Sequence, residues 1–243
     1  YLQGKWGNVY AGVARANATL DLMRKTTGVS ADNQKNWTAE ARFLRGHYHF
    51  EAKKVFNNVP YIGDDAWKAF SGGDQNAVKV PNDKDIWPNI NDDLKFAADN
   101  LPETFAEVGR VNKWAGKSMY AKALVFQGKF AEALTVLNDV IANGKTSNGL
   151  KYGLNSCFYD NFNAGTKNSK EAVLSVQYSV NDGDGDGLGV AGSFARAVAA
   201  RKAQSALTHG RPPLARSARS HPRLPPHLVR RPPRRGRGRS AAP

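Results

Sequence analysis

The chain has 243 residues, 41% hydrophobic and 10% aromatic, enough for one domain with a packed core or for part of a larger one. Its net charge of +14 suggests a nucleic-acid partner, yet residues 1–190 hold 22 Lys and Arg against 21 Asp and Glu, and residues 191–243 hold 13 Lys and Arg with no acid, so the excess is all in the tail. One cysteine, Cys157, excludes an internal disulfide, and no run of about 18 apolar residues is present to cross a membrane as a helix.

The sequence starts at Tyr1 inside an amphipathic pattern, with no secretory signal, and that start is read as the edge of a fragment. Trp6, Tyr10, Val13, Ala14, Asn17, Leu20 and Met23 recur at helical spacing. Gly28 breaks this first helix, and Ser30 or Asp32 caps the next. That second helix carries Trp37, Ala41, Phe43, Leu44, Tyr48, Phe50 and Val55 and runs to about Phe56. Residues 57–82 read as one long loop. A third helix holds Ile86, Trp87, Ile90, Leu94, Ala97 and Ala98 and ends at Asn100-Leu101-Pro102, with Pro88 tolerated only in its first turn.

Residues 110–144 read as a helical hairpin of tetratricopeptide type. Its first helix carries Ala115, Met119, Ala121, Ala123, Leu124 and Phe126. Gly128-Lys129 makes the turn. The second helix carries Phe130, Ala133, Leu134, Leu137, Val140 and Ile141, with Gly144 as its C-cap. Glu171 to Tyr178, rich in β-branched and aromatic residues, reads as a strand. The predicted fold is therefore mainly α, with long loops and one or two short strands.

Several side-chain patterns carry candidate chemistry. Trp67 stands in a polar stretch, Asp64-Asp65-Ala66-Trp67-Lys68, where no helix face demands a large ring. Its two readings are a platform that stacks on a sugar face, with Asp64 and Asp65 accepting hydroxyl hydrogen bonds, and a ring folded back onto the bundle. Trp6, Trp37, Trp87 and Trp114 lie on or beside helices and read as core. Asp182, Asp184 and Asp186, followed by Gly187, match the first half of a calcium loop. An EF-hand needs Glu at residue 193, where Ser193 stands, so an acidic loop after a strand is the other reading. Gly187, Gly189 and Gly192 form a G-x-G-x-x-G pattern, but the three upstream acids repel a pyrophosphate and no second strand follows. His47 and His49 face apart on a helix, which excludes one shared metal ion. Arg42, Arg45 and Glu40 read as structural ion pairs of the second helix. No nucleophile–base–acid set appears, and no catalysis is expected.

The tail, residues 195–243, is Arg- and Pro-rich, with one Lys after residue 190, Lys202. Without aromatic platforms beside its arginines, any nucleic-acid binding would be non-specific. It reads as a disordered low-complexity arm or as translation out of frame in GC-rich sequence.

Taken together, Trp6-x3-Tyr10-x2-Val13-x2-Ala16-Asn17, Ala39 to Phe50 running into Val59-Pro60, Asp92-Asp93-Leu94-x2-Ala97-x3-Leu101-Pro102, Gly109 to Ala115, and Glu171 to Gln177 resemble the SusD/RagB family of outer-membrane lipoproteins in Bacteroidota. The resemblance covers about residues 1–194, as one partial helical domain. It implies a tetratricopeptide-like α-α superhelix, glycan or peptide scavenging at the cell surface, no catalysis, and a SusC-like TonB-dependent transporter as partner. It also implies an outer-membrane lipid anchor upstream of Tyr1. The runner-up is a tetratricopeptide-type protein–protein adaptor that binds no glycan.

Overall fold

The computed structural model describes residues 1–177, which contain six α-helices and two short 3-10 turns, Phe158–Asn161 and Ala164–Thr166. The proposed calcium loop at Asp182, Asp184 and Asp186, and the basic tail, lie outside the described residues. Helix α1 is Leu2–Lys25, and Gly28, at φ +80, lets the chain reverse into α2, Ala31–Phe56. Ser30 caps α2, its hydroxyl accepting from the Asn33 N–H at 3.4 Å. Helix α3, Asp64–Ser71, lies inside the stretch expected to be loop. Helices α4, Trp87–Asn100, α5, Lys113–Phe126, and α6, Phe130–Asn143, follow the predicted bounds, and Pro88 sits in the first turn of α4.

The helices pack in series: α1 on α2, α2 on α4, α4 on α5 and α5 on α6. Cross-pairs show that neighbours run antiparallel. Lys5 meets Glu51 and Gln34 meets Met23 across α1–α2. Arg42 meets Asp93 and Phe50 meets Trp87 across α2–α4, while Asn91 meets Gln127 and Gly116 meets Ala98 across α4–α5. This is the side-by-side array of tetratricopeptide hairpins. Its core is formed by Val9, Phe43, Phe50, Ile90, Leu94, Val111, Ala115 and Ala123 with their neighbours.

Glycines set how closely the helices approach. A Cβ on Gly12 would overlap the Tyr48 ring, one on Gly46 would lie 3.0 Å from the Asp93 Cβ, and one on Gly116 would lie 3.2 Å from the Ala98 backbone. Each successive interface, α1–α2, α2–α4 and α4–α5, therefore has one glycine at a point of close approach, where a side chain would force the neighbour to shift. Gly128, at φ +73, makes the tight turn from α5 to α6. Gly144 occupies the C-cap of α6 but is extended there, at φ −62; its lack of a side chain admits the Tyr152 ring.

The stretch before α5 is tightly bonded. Asn112 is fully buried; its Oδ1 accepts from the Ala115 N–H at 2.9 Å, capping α5, and its Nδ2 donates to the Glu103 and Lys145 carbonyls, both at 2.8 Å. Arg110 forms a two-point pair with Glu40 of α2, at 2.9 and 2.8 Å. The Gly109-Arg110-Val111-Asn112 motif is thus a clasp that sets the α5–α6 hairpin against α2.

Besides α3, other parts of the chain differ from the reading of the sequence or add to it. Residues 171–177 form no strand: β-branched sequence makes a strand only with a partner, and the one bridge among the described residues joins Lys145 to Lys151. Trp6 is partly exposed, its ring tilted against Tyr10 and edge-on to Phe56, whereas Trp114 is buried as expected. On α6 only Ala133 and Val140 are buried; Phe130, Leu134 and Ile141 are exposed at 67, 59 and 72%, since among the described residues α5 is the one helix packed closely on α6.

A Gly46→Val substitution is expected to push α4 off α2 and to lower stability by about 1–3 kcal/mol. Urea unfolding followed by circular dichroism measures this, and an unchanged midpoint would contradict the close approach.

Candidate functional site

The candidate site starts from a buried charge cluster. Arg45 of α2 is 2% exposed, and Asp93 of α4 is fully buried. A guanidinium can be desolvated only if its donors are matched, and here they are. Nε and Nη2 of Arg45 donate to the two oxygens of Asp93 at 2.8 and 2.7 Å, and Nη1 donates to Asn17 of α1 at 3.0 Å and to Asp64 of α3 at 2.8 Å. Asp93 also accepts from Arg42 Nε at 2.8 Å and from the Tyr61 hydroxyl at 2.7 Å. Arg42, Arg45 and Glu40 are structural ion-pair residues, as expected, but their partners lie on other elements rather than along α2.

Beside this cluster the chain at Tyr61-Ile62 is held from both sides. Asn17 Nδ2 donates to the Ile62 carbonyl at 2.8 Å, and the Ile62 N–H donates to His49 Nε2 at 3.1 Å. With Nε2 accepting, the His49 proton sits on Nδ1 and bonds the Arg45 carbonyl at 2.9 Å, the neutral tautomer. Burial pushes the His49 pKa down to about 4, and burial likewise lowers that of His47, which stacks on Phe43 away from His49.

From this anchored loop α3 projects. Asp64, in its first turn, accepts from Arg45 and from Arg24 of α1 at 2.9 Å. Burial opposes ionisation of Asp64, yet the Arg45 charge and its hydrogen bonds hold the carboxyl below the usual carboxylate range. Asp65 is exposed and makes no ion pair among the described residues. Trp67 is half-buried, its ring centroid 5.3 Å from that of Phe70 on the same helix.

The structure therefore brings Asp64, Asp65 and Trp67 together on one short helix rather than on an irregular loop. The signal available in the sequence was the i, i+3 pair Trp67–Phe70 behind two N-terminal acids, a helix start with a one-sided apolar face. Sequence reasoning missed the Asn17–Arg45–Asp93–Tyr61 cluster, whose members lie far apart along the chain.

A serial antiparallel helical array with an aromatic and acidic insertion defines a tetratricopeptide-like scaffold. Residues 1–125 match the model of a SusD-like family described as starch-binding and associating with the outer membrane, and the chain belongs to that family. Among solved structures it is similar to a laminarin-binding SusD-like protein, at 25% identity and TM-score 0.54 over 65% of this chain and 33% of that one. It is also similar to a SusD superfamily protein from Bacteroides vulgatus, at 26% identity and TM-score 0.57 over 68% and 34%. Surface glycan-binding protein A from Bacteroides thetaiotaomicron, solved with laminarihexaose, shares the fold at 21% identity and TM-score 0.58 over 72% and 35%. The chain spans about a third of the length of these solved proteins. No curated protein matches it in sequence.

Two outcomes follow from the cluster. Arg45→Met leaves Asp93 buried with one cationic partner fewer and is expected to destabilise the fold by about 3–5 kcal/mol in urea unfolding; a loss below about 1 kcal/mol would contradict a central role. The buried histidines make stability pH-dependent. Above the unfolded value of 6.5 both are neutral in either state. As pH falls from 6.5 towards 4.5, the unfolded chain binds protons that the folded chain refuses. Stability is expected to fall by up to about 1.4 kcal/mol per pH unit through His49, and His47, also lowered by burial, adds to the loss in the same direction. His49→Gln, which can donate and accept in the same places, should remove the His49 share of that slope.

Proposed function

We propose that the chain is part of a cell-surface glycan-binding component of an outer-membrane uptake system, which captures oligosaccharide and passes it to a SusC-like TonB-dependent transporter. The observation that carries this reading is Trp67, half-buried beside Phe70 on a helix that the Arg45–Asp64 pair anchors to the array. A pre-positioned indole offers a flat apolar face to the C–H face of a pyranose at low entropic cost, and Asp65, two positions earlier on the same helix and therefore on another face, is an exposed acceptor at the helix start rather than part of the platform. Asp64 contributes chiefly by holding α3 in place. Family membership and the laminarin-binding relative at 25% identity support a glycan as the ligand. The action is binding and hand-over, with no bond made or broken. The chain works at the outer membrane, tethered by a lipid anchor in the whole protein.

The second reading, a protein–protein adaptor, draws on one observation: the exposed row Phe130, Leu134 and Ile141 on α6. Affinity electrophoresis of the chain through gels containing laminarin or starch separates the two. The glycan reading expects retardation that Trp67→Ala weakens about tenfold or more. Equal mobility of wild type and Trp67→Ala in every gel would sink the site, and no retardation in any gel would favour the adaptor.

A further inference from the structure

A groove of about 430 Å³ lies between α5, α6 and the Lys145–Lys151 bridge, apart from α3 and its Trp67. Four lysines line it, Lys113, Lys117, Lys145 and Lys151, against two acids, Glu103 and Asp139. Lys117 pairs with Asp139, and Lys145 with Glu103 at 3.1 Å. Lys113 and Lys151 have no ion pair among the described residues; the Lys113 ammonium lies 5.4 Å from the centroid of the Trp114 ring. The groove therefore carries two uncompensated positive charges.

The placement of these lysines costs stability in both elements. Lys113 and Lys117 are i, i+4 neighbours on α5, a like-charge arrangement that weakens a helix. Lys145 and Lys151 are directly opposed in an antiparallel bridge, which puts both side chains on one face with like charges adjacent. In each pair one lysine is already matched, Lys117 by Asp139 and Lys145 by Glu103, so the charge left over in this concavity is that of Lys113 and Lys151. A third observation concerns its wall: the indole N–H of Trp114, itself 3% exposed, is buried with no hydrogen-bond partner.

An anion answers these features together. It relieves both like-charge pairs and takes charge-assisted hydrogen bonds from the ammonium groups. The groove's volume suits a sugar ring, and Asn143, Glu103 and Asp139 on its rim suit hydroxyl groups. Resting on the glycan-binding reading above, we propose that this groove is a subsite for a saccharide bearing an anionic group, a uronate carboxylate or a sulfate ester, seated between Lys113 and Lys151.

Isothermal titration of the full 243-residue chain tests it with four probes: an oligogalacturonate, a sulfated oligosaccharide, a neutral β-glucan oligosaccharide and inorganic sulfate. The expected result is binding of one of the two anionic oligosaccharides, weakened as salt rises from about 50 to 200 mM. The Lys113→Gln/Lys151→Gln variant, which alters groups at the surface and not the core, should bind that probe about tenfold more weakly. Trp67→Ala should leave this component in place. Uronate alone or sulfate alone as the binding probe supports the subsite and identifies the group. Failure of both anionic oligosaccharides to bind, an unchanged affinity in the double lysine variant, or inorganic sulfate binding as tightly as the oligosaccharide would overturn the proposal. If the neutral β-glucan still binds in a Trp67-dependent way, the proposed function survives that failure; loss of neutral binding with lysine-dependent uronate or sulfate binding retained overturns the Trp67 site and leaves the groove.

Discussion

A guanidinium at the centre of a helical array costs several kcal/mol of desolvation, which only a matched set of acceptors can offset. Arg45 meets that demand in a way that constrains its surroundings. Its two-point pair with Asp93 requires α2 and α4 to stand in one register, since a shift of either helix by one residue would carry a side chain round to another face. Its remaining bonds reach Asn17 on α1 and Asp64 on α3. One residue thereby ties together four helices, and the Asn17 and His49 bonds to Ile62 fix the strap from which α3 starts. The apolar core supplies the larger share of stability, but an apolar core of Ala, Leu and Phe tolerates sliding better than a bidentate ion pair does. Gly46, opposite Asp93 and Leu94, is the steric counterpart of the same constraint: it allows α4 near enough for the Arg45–Asp93 geometry to form.

This arrangement separates rigidity from recognition. The helices α1, α2, α4 and α5 form a scaffold centred on the bonded Arg45–Asp93 cluster, and α3 with Trp67 stands at its edge on a held strap. Binding energy at such an edge is not consumed in ordering the platform, which is the benefit of preorganisation. The lysine-lined groove at α5 and α6 lies elsewhere on the array and differs in character: charged where α3 is aromatic and acidic. A glycan that carries both neutral and anionic sugars would find complementary chemistry in the two places. The exposed row Phe130, Leu134 and Ile141 leaves an apolar face on α6 that no described residue covers.

The helices of the array were legible because their apolar residues repeat over many turns. α2 and the α5–α6 hairpin fall within the expected bounds, as does Ser30 as a cap. The short α3 was not, because eight residues give too few turns for a period to stand out, and its two acids and single Trp looked like loop chemistry. Residues 171–177 show the opposite error: β-branched composition is a local property, whereas a strand is a relation between two segments. On α6, periodicity placed Phe130, Leu134 and Ile141 on the helix, but a pattern of apolar residues does not say which of them a neighbour covers. The residues of the charge cluster were noticed singly as ion-pair formers. Their partners, 19 to 51 positions away, are set by the packing of whole helices and carry no local signature.

The claim on which the rest depends is that the Arg45 cluster holds the Trp67-bearing helix in place. Hydrogen exchange of the α3 amides, compared between the natural chain and Asp64→Ala, measures this directly. The substitution leaves the Arg45–Asp93 pair intact but cuts α3 from it. The result predicted is a local rise in exchange across residues 64–71, with protection in α2 and α4 unchanged. Equal protection of α3 in both proteins would show that the helix is held by something else, and would contradict the role assigned to the cluster.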